Sequence, residues 1–138
     1  MSEKLFFDTN ILFYAFDSSE PDKQEVAQEL LAKSITSGLG WISVQVLGEF
    51  LHATVIRKKL MSPDEAEKAI LSLSALNIVD VDRGLVKAAI NMHRQFQTSY
   101  WDSLILASAI RCKCMKLVSE DFSHDQEYDG VQVANPFL

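Results

Sequence analysis

Four carboxylates sit where an apolar stretch gives a charge little reason to be: Asp8, Glu49, Asp102 and Asp121. Asp8 closes the run Leu5-Phe6-Phe7, and Glu49 precedes Phe50 and Leu51. Asp102 opens a segment rich in Leu, Ile and Ala, and Asp121 follows the run Lys116-Leu117-Val118 by three residues. Oxygen-rich groups of this kind hold hard cations such as Mg²⁺ or Mn²⁺. Crowded without a cation, carboxylates repel one another and their pKa values rise. A bound metal relieves that repulsion, activates a water for in-line attack on phosphorus and stabilises the leaving oxygen. Such chemistry needs no histidine or lysine base. That suits a chain with three histidines, His52, His93 and His124, which are not spaced as a metal triad and read as structural or surface residues.

Each acid also has a structural explanation. Ser99-Tyr100-Trp101-Asp102 has the form of a helix capping box, and Asp8-Thr9-Asn10 can make a turn. Asp121 shares its loop with Glu120, Asp125, Glu127 and Asp129, as a solvated acidic loop would. Glu49 is different, because a carboxylate on an apolar helix is costly unless partnered.

The elements that must position these acids read as short strands alternating with helices. Lys4 to Asp8 is a buried strand opening into a turn, and Asn10 to Phe16 is helical. Ser18-Ser19-Glu20-Pro21 marks a helix start with a hydroxyl cap, and that helix runs to about Ser37, before Gly38 and Gly40. A short strand, Gly40 to Ser43, precedes a helix from Val44 to Lys58. Ser62-Pro63-Asp64-Glu65 is a capping box for a helix ending near Ala75. Asn77 to Val81 is β-like, and Asp82 caps a helix reaching Gln97. The next helix, from Ser99, is apolar on nearly every face and so belongs between layers. Met115 to Val118 is a buried strand, and Val131 to Ala134 an edge strand halted by Asn135-Pro136. The pattern predicts a three-layer α/β/α sandwich around a mostly parallel, about five-stranded sheet, with residues 1–138 as a single domain.

Topology gathers the acids. Ligands of open parallel sheets bind beyond the carboxyl ends of the strands, where Asp8 and Asp121 both fall. The helix carrying Asp102 leads back to the start of the Met115–Val118 strand. About 11 helical residues span ~16 Å, close to the ~13–17 Å of a four- or five-residue strand, so its first turn lies beside that strand's last residues. Glu49, about two turns into its helix, can lean over the same edge, although geometry does not force it.

Composition bounds the alternatives. The chain has 138 residues, 48% of them hydrophobic, and a formal charge of −6. That balance argues against nucleic-acid binding by a broad basic surface, and not against an anionic site that attracts phosphate once its metal is bound. The basic run Arg57-Lys58-Lys59 suits a solvated helix end better than a contact with a phosphate backbone. Cys112 and Cys114 read as reduced thiols near a helix end. The amino terminus lacks a signal-peptide pattern, and no apolar run approaches the ~20 residues of a membrane helix. A soluble, cytoplasmic protein is therefore expected, with no membrane partner. Trp41 suits a layer boundary, and Trp101, beside Asp102, could be buried or stack on a base.

At these residues the sequence resembles the PIN-domain ribonucleases, and among them the VapC-type toxins of toxin–antitoxin modules. The resemblance lies in Phe7-Asp8-Thr9-Asn10-Ile11-Leu12-Phe13-Tyr14-Ala15, Ser43-Val44-Gln45-Val46-Leu47-Gly48-Glu49-Phe50, Ser99-Tyr100-Trp101-Asp102-Ser103-Leu104-Ile105 and the looser Ser119-Glu120-Asp121-Phe122. It implies Mg²⁺- or Mn²⁺-dependent hydrolysis of RNA, tRNA or rRNA among the substrates, with Asp8 and Asp102 as principal metal ligands. Glu49 and Asp121 would complete the pocket, while Asn10 and Ser119 would orient the acids. It also implies a homodimer and inhibition by a cognate antitoxin. Because Glu120 adjoins Asp121, the fourth acid could be either. Two other readings compete: a phosphatase with Asp8 as nucleophile, although Asn10 stands where a second acid would be needed, and a non-catalytic scaffold that binds protein.

Overall fold

The computed structural model describes residues 3–138. Five apolar segments form the parallel strands β1 (Leu5–Phe7), β2 (Gly40–Ser43), β3 (Asn77–Val79), β4 (Lys116–Val118) and β6 (Val131–Ala134), with β5 (Glu127–Tyr128) added antiparallel to β6. The order across the sheet is β3-β2-β1-β4-β6-β5, so β1 and β4 lie at its centre. Helices α1 (Thr9–Ala15), α2 (Pro21–Ser37), α3 (Val44–Leu51), α4 (Pro63–Leu73), α5 (Arg83–Phe96) and α6 (Tyr100–Arg111) flank it. Helix α1 contacts α2 and α3, and α5 lies along α6. Phe6, Phe7, Ile42, Leu117 and Val133, one or two from each inner strand, are fully buried.

The expected sandwich is present, with a sixth strand. Val131–Ala134 is not the edge, because β5 covers it through a two-residue hairpin loop. Asp129 (φ 49°) and Gly130 (φ 91°) both take the left-handed region, as such a tight loop requires. The expected helix from Val44 to Lys58 changes pitch midway. After Leu51 the chain continues as a π-helical segment, His52–Arg57, with Lys58 N–H donating to the Ala53 carbonyl. The buried Thr54 hydroxyl donates to the Phe50 carbonyl at 2.8 Å inside that turn.

Most helix starts follow local chemistry. Ser62 and Glu65 form the expected reciprocal box on α4, Asp82 accepts from Leu85 N–H at 2.8 Å, and Ser99 accepts from Asp102 N–H at 3.1 Å. Pro21 opens α2 as expected, but no hydroxyl caps it. Glu20 is the cap residue without a side-chain bond, and Ser19 instead donates to Asp17 at 2.6 Å. Helix α6 is buried continuously from Ser103 to Ala109, as its apolar composition requires. Among the described residues no helix is long and apolar enough to cross a membrane.

Gly40 begins β2 where the strand passes close under α2. A Cβ there would stand 2.6 Å from Ser34 Cβ and 2.7 Å from Leu76 Cδ2. Gly40→Ala is therefore expected to destabilise the fold by about 1–3 kcal/mol through overpacking. Urea denaturation checks this; an unchanged midpoint would mean that α2 yields freely.

Candidate active site

The β1–β4 ladder pairs Phe7 with Val118, which sets the next residues, Asp8 and Ser119, side by side at the carboxyl edge. Asp8 N–H continues the ladder to the Val118 carbonyl at 3.0 Å. The Asp8 side chain is 7% exposed and is also the cap of α1, accepting from Thr9 N–H at 2.8 Å. Its other oxygen accepts from the Ser119 hydroxyl at 2.7 Å and from the Asn10 amide at 3.3 Å.

Asn10 joins the two strand ends. Its Nδ2 also reaches Ser119 Oγ at 3.2 Å and the Asp121 carboxylate at 3.1 Å, while its Oδ1 accepts from Glu120 N–H at 3.1 Å. The adjacent acids are thereby separated. Asp121 turns to Asn10. Glu120 turns to α1 and α2, accepting from the Tyr14 hydroxyl at 2.7 Å and pairing with Lys23. Lys23 Nζ lies over the Tyr14 ring, 4.7 Å from its centroid, and the Phe137 ring meets Tyr14 edge-on. Burial alone would raise Glu120, but Lys23 and Tyr14 hold its carboxyl below the ordinary range.

Glu49 projects from α3 and accepts from the Thr9 hydroxyl at 2.7 Å and from Gln45 Nε2 at 3.3 Å. The same Gln45 amide donates to the Trp101 carbonyl at 3.1 Å, tying α3 to the first turn of α6. Asp102 stands exposed in that turn. Asp8, Glu49, Asp102 and Asp121 all line one open cleft of about 960 Å³, into which Glu120 also faces. Thr9, Gln45, Tyr14 and Lys23 carry contacts not assigned from sequence. Gln45 had a local signal, since it precedes Glu49 by one helical turn. Thr9 lies in the Asp8-Thr9-Asn10 segment, whose sequence gives no sign of its contact with Glu49.

The cleft is electrostatically strained. Burial pushes Asp8 up to about 6, against the lowering effect of Ser119 and Thr9, and the charges of Asp121 and Glu49 push the same way. Asp102, although solvent-exposed, is raised too, first by the desolvation of its cleft-facing side and then by Asp121 and Glu49, with Ser99 opposing. Among the described residues, no salt bridge involves any of the four acids.

No three Asp, Glu, His or Cys side chains among the described residues converge closely enough to enclose an ion by themselves. The donors nonetheless suit a hard cation that keeps part of its water shell and takes one or two carboxylates directly. Gln45, in the cleft wall beside Glu49, carries a buried acceptor, Oε1, without a hydrogen-bond partner among the described residues. The histidines stand apart from one another. His52 lines the cleft, while His93 Nδ1 faces the Thr98 carbonyl and His124 Nδ1 accepts from Asn135 N–H. Cys112 and Cys114 are free and buried, and burial pushes the Cys114 thiol up to about 12.

Fold and site together define an α/β sandwich protein with an anionic cleft at the carboxyl ends of its central strands. The PIN domain family model matches residues 5–126, and the chain belongs to that family. Among solved structures, a toxin–antitoxin complex from Klebsiella pneumoniae superposes with a TM-score of 0.71 at 20% identity, covering 96% of this chain and 98% of the other. DNA-bound VapBC from Salmonella typhimurium gives 0.71 at 16% identity, with 97% and 98% covered. VapC20 of Mycobacterium tuberculosis, described as a Sarcin-Ricin loop cleaving toxin, gives 0.67 at 18% identity, with 86% and 92% covered. No curated protein sequence matches the chain.

The Asp8 environment makes a signed prediction. A raised carboxyl pKa means that the folded state binds more protons than the unfolded one between pH 3.8 and about 6. Stability of the metal-free protein therefore falls as pH rises through that window, and the cost is fully present above about 6. A rise from 3.8 to about 6 corresponds to roughly 3 kcal/mol. Asp8→Asn keeps a good helix cap and removes the charge. In chelator at pH 7.5 the variant is expected to be more stable than wild type, with the difference vanishing near pH 4. Parallel pH profiles for the two proteins would contradict this.

Proposed function

We propose that this protein is a metal-dependent endoribonuclease acting as the toxin of a toxin–antitoxin pair. The observation that carries the reading is the set of four carboxylates, free of salt bridges among the described residues, in one cleft of a PIN-family chain. Asp8 and Asp102 are the principal ligands for Mg²⁺ or Mn²⁺, and Glu49 and Asp121 complete the pocket directly or through water. When bound, the metal supplies an activated water and stabilises the leaving oxygen of the phosphodiester. The chain's own residues do the positioning. Ser119 and the Thr9 N–H fix the two oxygens of Asp8, Asn10 holds Asp121, and Thr9 and Gln45 hold Glu49. Glu120 is left outside the ligand set by its pairing with Lys23.

Without its cation the cleft repels phosphate, so metal loading and RNA binding are coupled. The Klebsiella, Salmonella and Mycobacterium structures are described as a toxin–antitoxin complex, a DNA-bound VapBC and an RNA-loop-cleaving toxin. By analogy we assign structured RNA, tRNA or rRNA, as substrate and a cognate antitoxin as partner, with a cytoplasmic homodimer as the working form. The phosphatase reading is disfavoured because Asp8 is buried and held by three donors, a poor setting for a nucleophile.

Purified protein incubated with tRNA and rRNA fragments is expected to cleave with Mg²⁺ or Mn²⁺ and not with chelator. Asp8→Asn and Asp102→Asn should lose more than the roughly 10–100-fold that removing a supporting hydrogen bond costs. Ser119→Ala should fall within that range, and Glu120→Gln should lose far less than Asp121→Asn. Cleavage that survives chelation, or hydrolysis of small phosphate esters alone, would contradict the proposal.

A further inference from the structure

Trp101 is the largest apolar side chain left in solvent beside the acids. It is 60% exposed in the first turn of α6, immediately before Asp102. Tryptophan usually buries most of its surface, so an open indole at a charged cleft calls for a ligand. Contacts flank the ring on one side and tie down its backbone. Tyr100 meets it edge-on with centroids 4.9 Å apart, and the Gln45 amide that holds Glu49 also holds the Trp101 carbonyl. Arg57 and Lys58, at the end of the π-helical segment, line the same cleft, and neither forms a salt bridge among the described residues.

An aromatic face, two cations and an acid cluster in one cleft complement a nucleotide chain, which offers a π-face and phosphates together. We propose that Trp101 is a stacking platform for an unpaired nucleobase of RNA flanking the scissile phosphate, with Arg57 and Lys58 taking neighbouring phosphates. This rests on the ribonuclease reading above and narrows it. Stacking accepts any base but requires that base to leave its helix. The substrate class is therefore RNA with unpaired nucleotides at the point of cleavage, selected by shape more than by sequence. A protein surface would also cover an indole, but two cations in the same cleft, without a salt bridge among the described residues, favour a polyanion.

The test uses the full chain with Trp41→Phe, which makes Trp101 its only tryptophan. Trp41 Nε1 is buried without a hydrogen-bond partner, so that exchange removes no hydrogen bond. Tryptophan emission is followed in Ca²⁺ buffer during titration with hexauridylate and with the same hexamer carrying a central abasic ribose, the RNA being checked intact afterwards. Saturable quenching is expected with hexauridylate, and binding roughly ten-fold weaker with the abasic hexamer. In the wild-type background, Trp101→Ala should weaken hexauridylate binding by about the same factor and leave abasic affinity unchanged. Trp101→Tyr should recover most of the loss, and Arg57→Gln with Lys58→Gln should flatten the salt dependence for both RNAs.

Equal affinities for the two hexamers and for Trp101→Ala would overturn the proposal. So would a change in sedimentation on Trp101→Ala with RNA affinity unaltered, which would make the indole a protein contact. If the wild type retains metal-dependent cleavage in either case, only the stacking proposal falls. If the wild type neither binds nor cleaves RNA, the ribonuclease reading falls with it.

Discussion

At the end of the central strand the Asp8 carboxylate is taken out of water, and no basic side chain among the described residues pairs with it. Three donors from two elements hold it: Thr9 N–H and the Asn10 amide from α1, and the Ser119 hydroxyl from the end of β4. They compensate only part of the desolvation, and the charges of Asp121 and Glu49 add to the load. A fold optimised for stability alone would place an apolar or amide side chain there. The rest of the site is arranged around that strain. Parallel pairing of β1 with β4 makes the contact between Asp8 and Ser119, and α1 begins on the same carboxylate.

A single amide then decides how charge is divided at the β4 end. Asn10 accepts from one backbone N–H and donates toward three oxygens, so that Glu120 and Asp121, neighbours in sequence, face different surroundings. Lys23 and Tyr14 neutralise the first of them against α1 and α2. Among the described residues the cleft is left with four acids and no basic side chain paired with any of them. Gln45 adds a second link, since one amide spans Glu49 and the backbone of Trp101. The two halves of the cleft, α3 and the start of α6, cannot move independently without breaking it.

What was legible in the sequence follows the range of the interactions. Ser62 with Glu65, Asp82, Ser99 and Pro21 act within one helical turn, and each marks the helix start it announced. Apolar strand runs and strand–helix alternation defined the parallel sheet, and from it the common edge of Asp8 and Asp121. The hydroxyl cap expected on α2 failed because Asp17, a buried acid two residues earlier, took the Ser19 hydroxyl. The π-helical pitch of His52–Arg57 was not legible, because a run of helix-compatible residues does not reveal where the buried Thr54 hydroxyl will return to the backbone. Strand β5 left a signal that went unused: Asp129-Gly130 is a hairpin pair, but only two residues follow its geometry. That Glu120 and Asp121 face different surroundings depends on Tyr14 and Lys23, about a hundred residues away, and no local pattern encodes it.

If Asp8 anchors the proposed metal site, the acid cluster should exchange protons for metal. Uptake of Mn²⁺, followed by the electron paramagnetic resonance of the free ion from pH 5 to 8, reads that exchange directly. Binding should be strong at pH 7.5, weaken as pH falls through about 6 where Asp8 takes a proton, and be lost in Asp8→Asn at every pH. Equal Mn²⁺ affinity in wild type and Asp8→Asn would contradict a metal site built on this carboxylate.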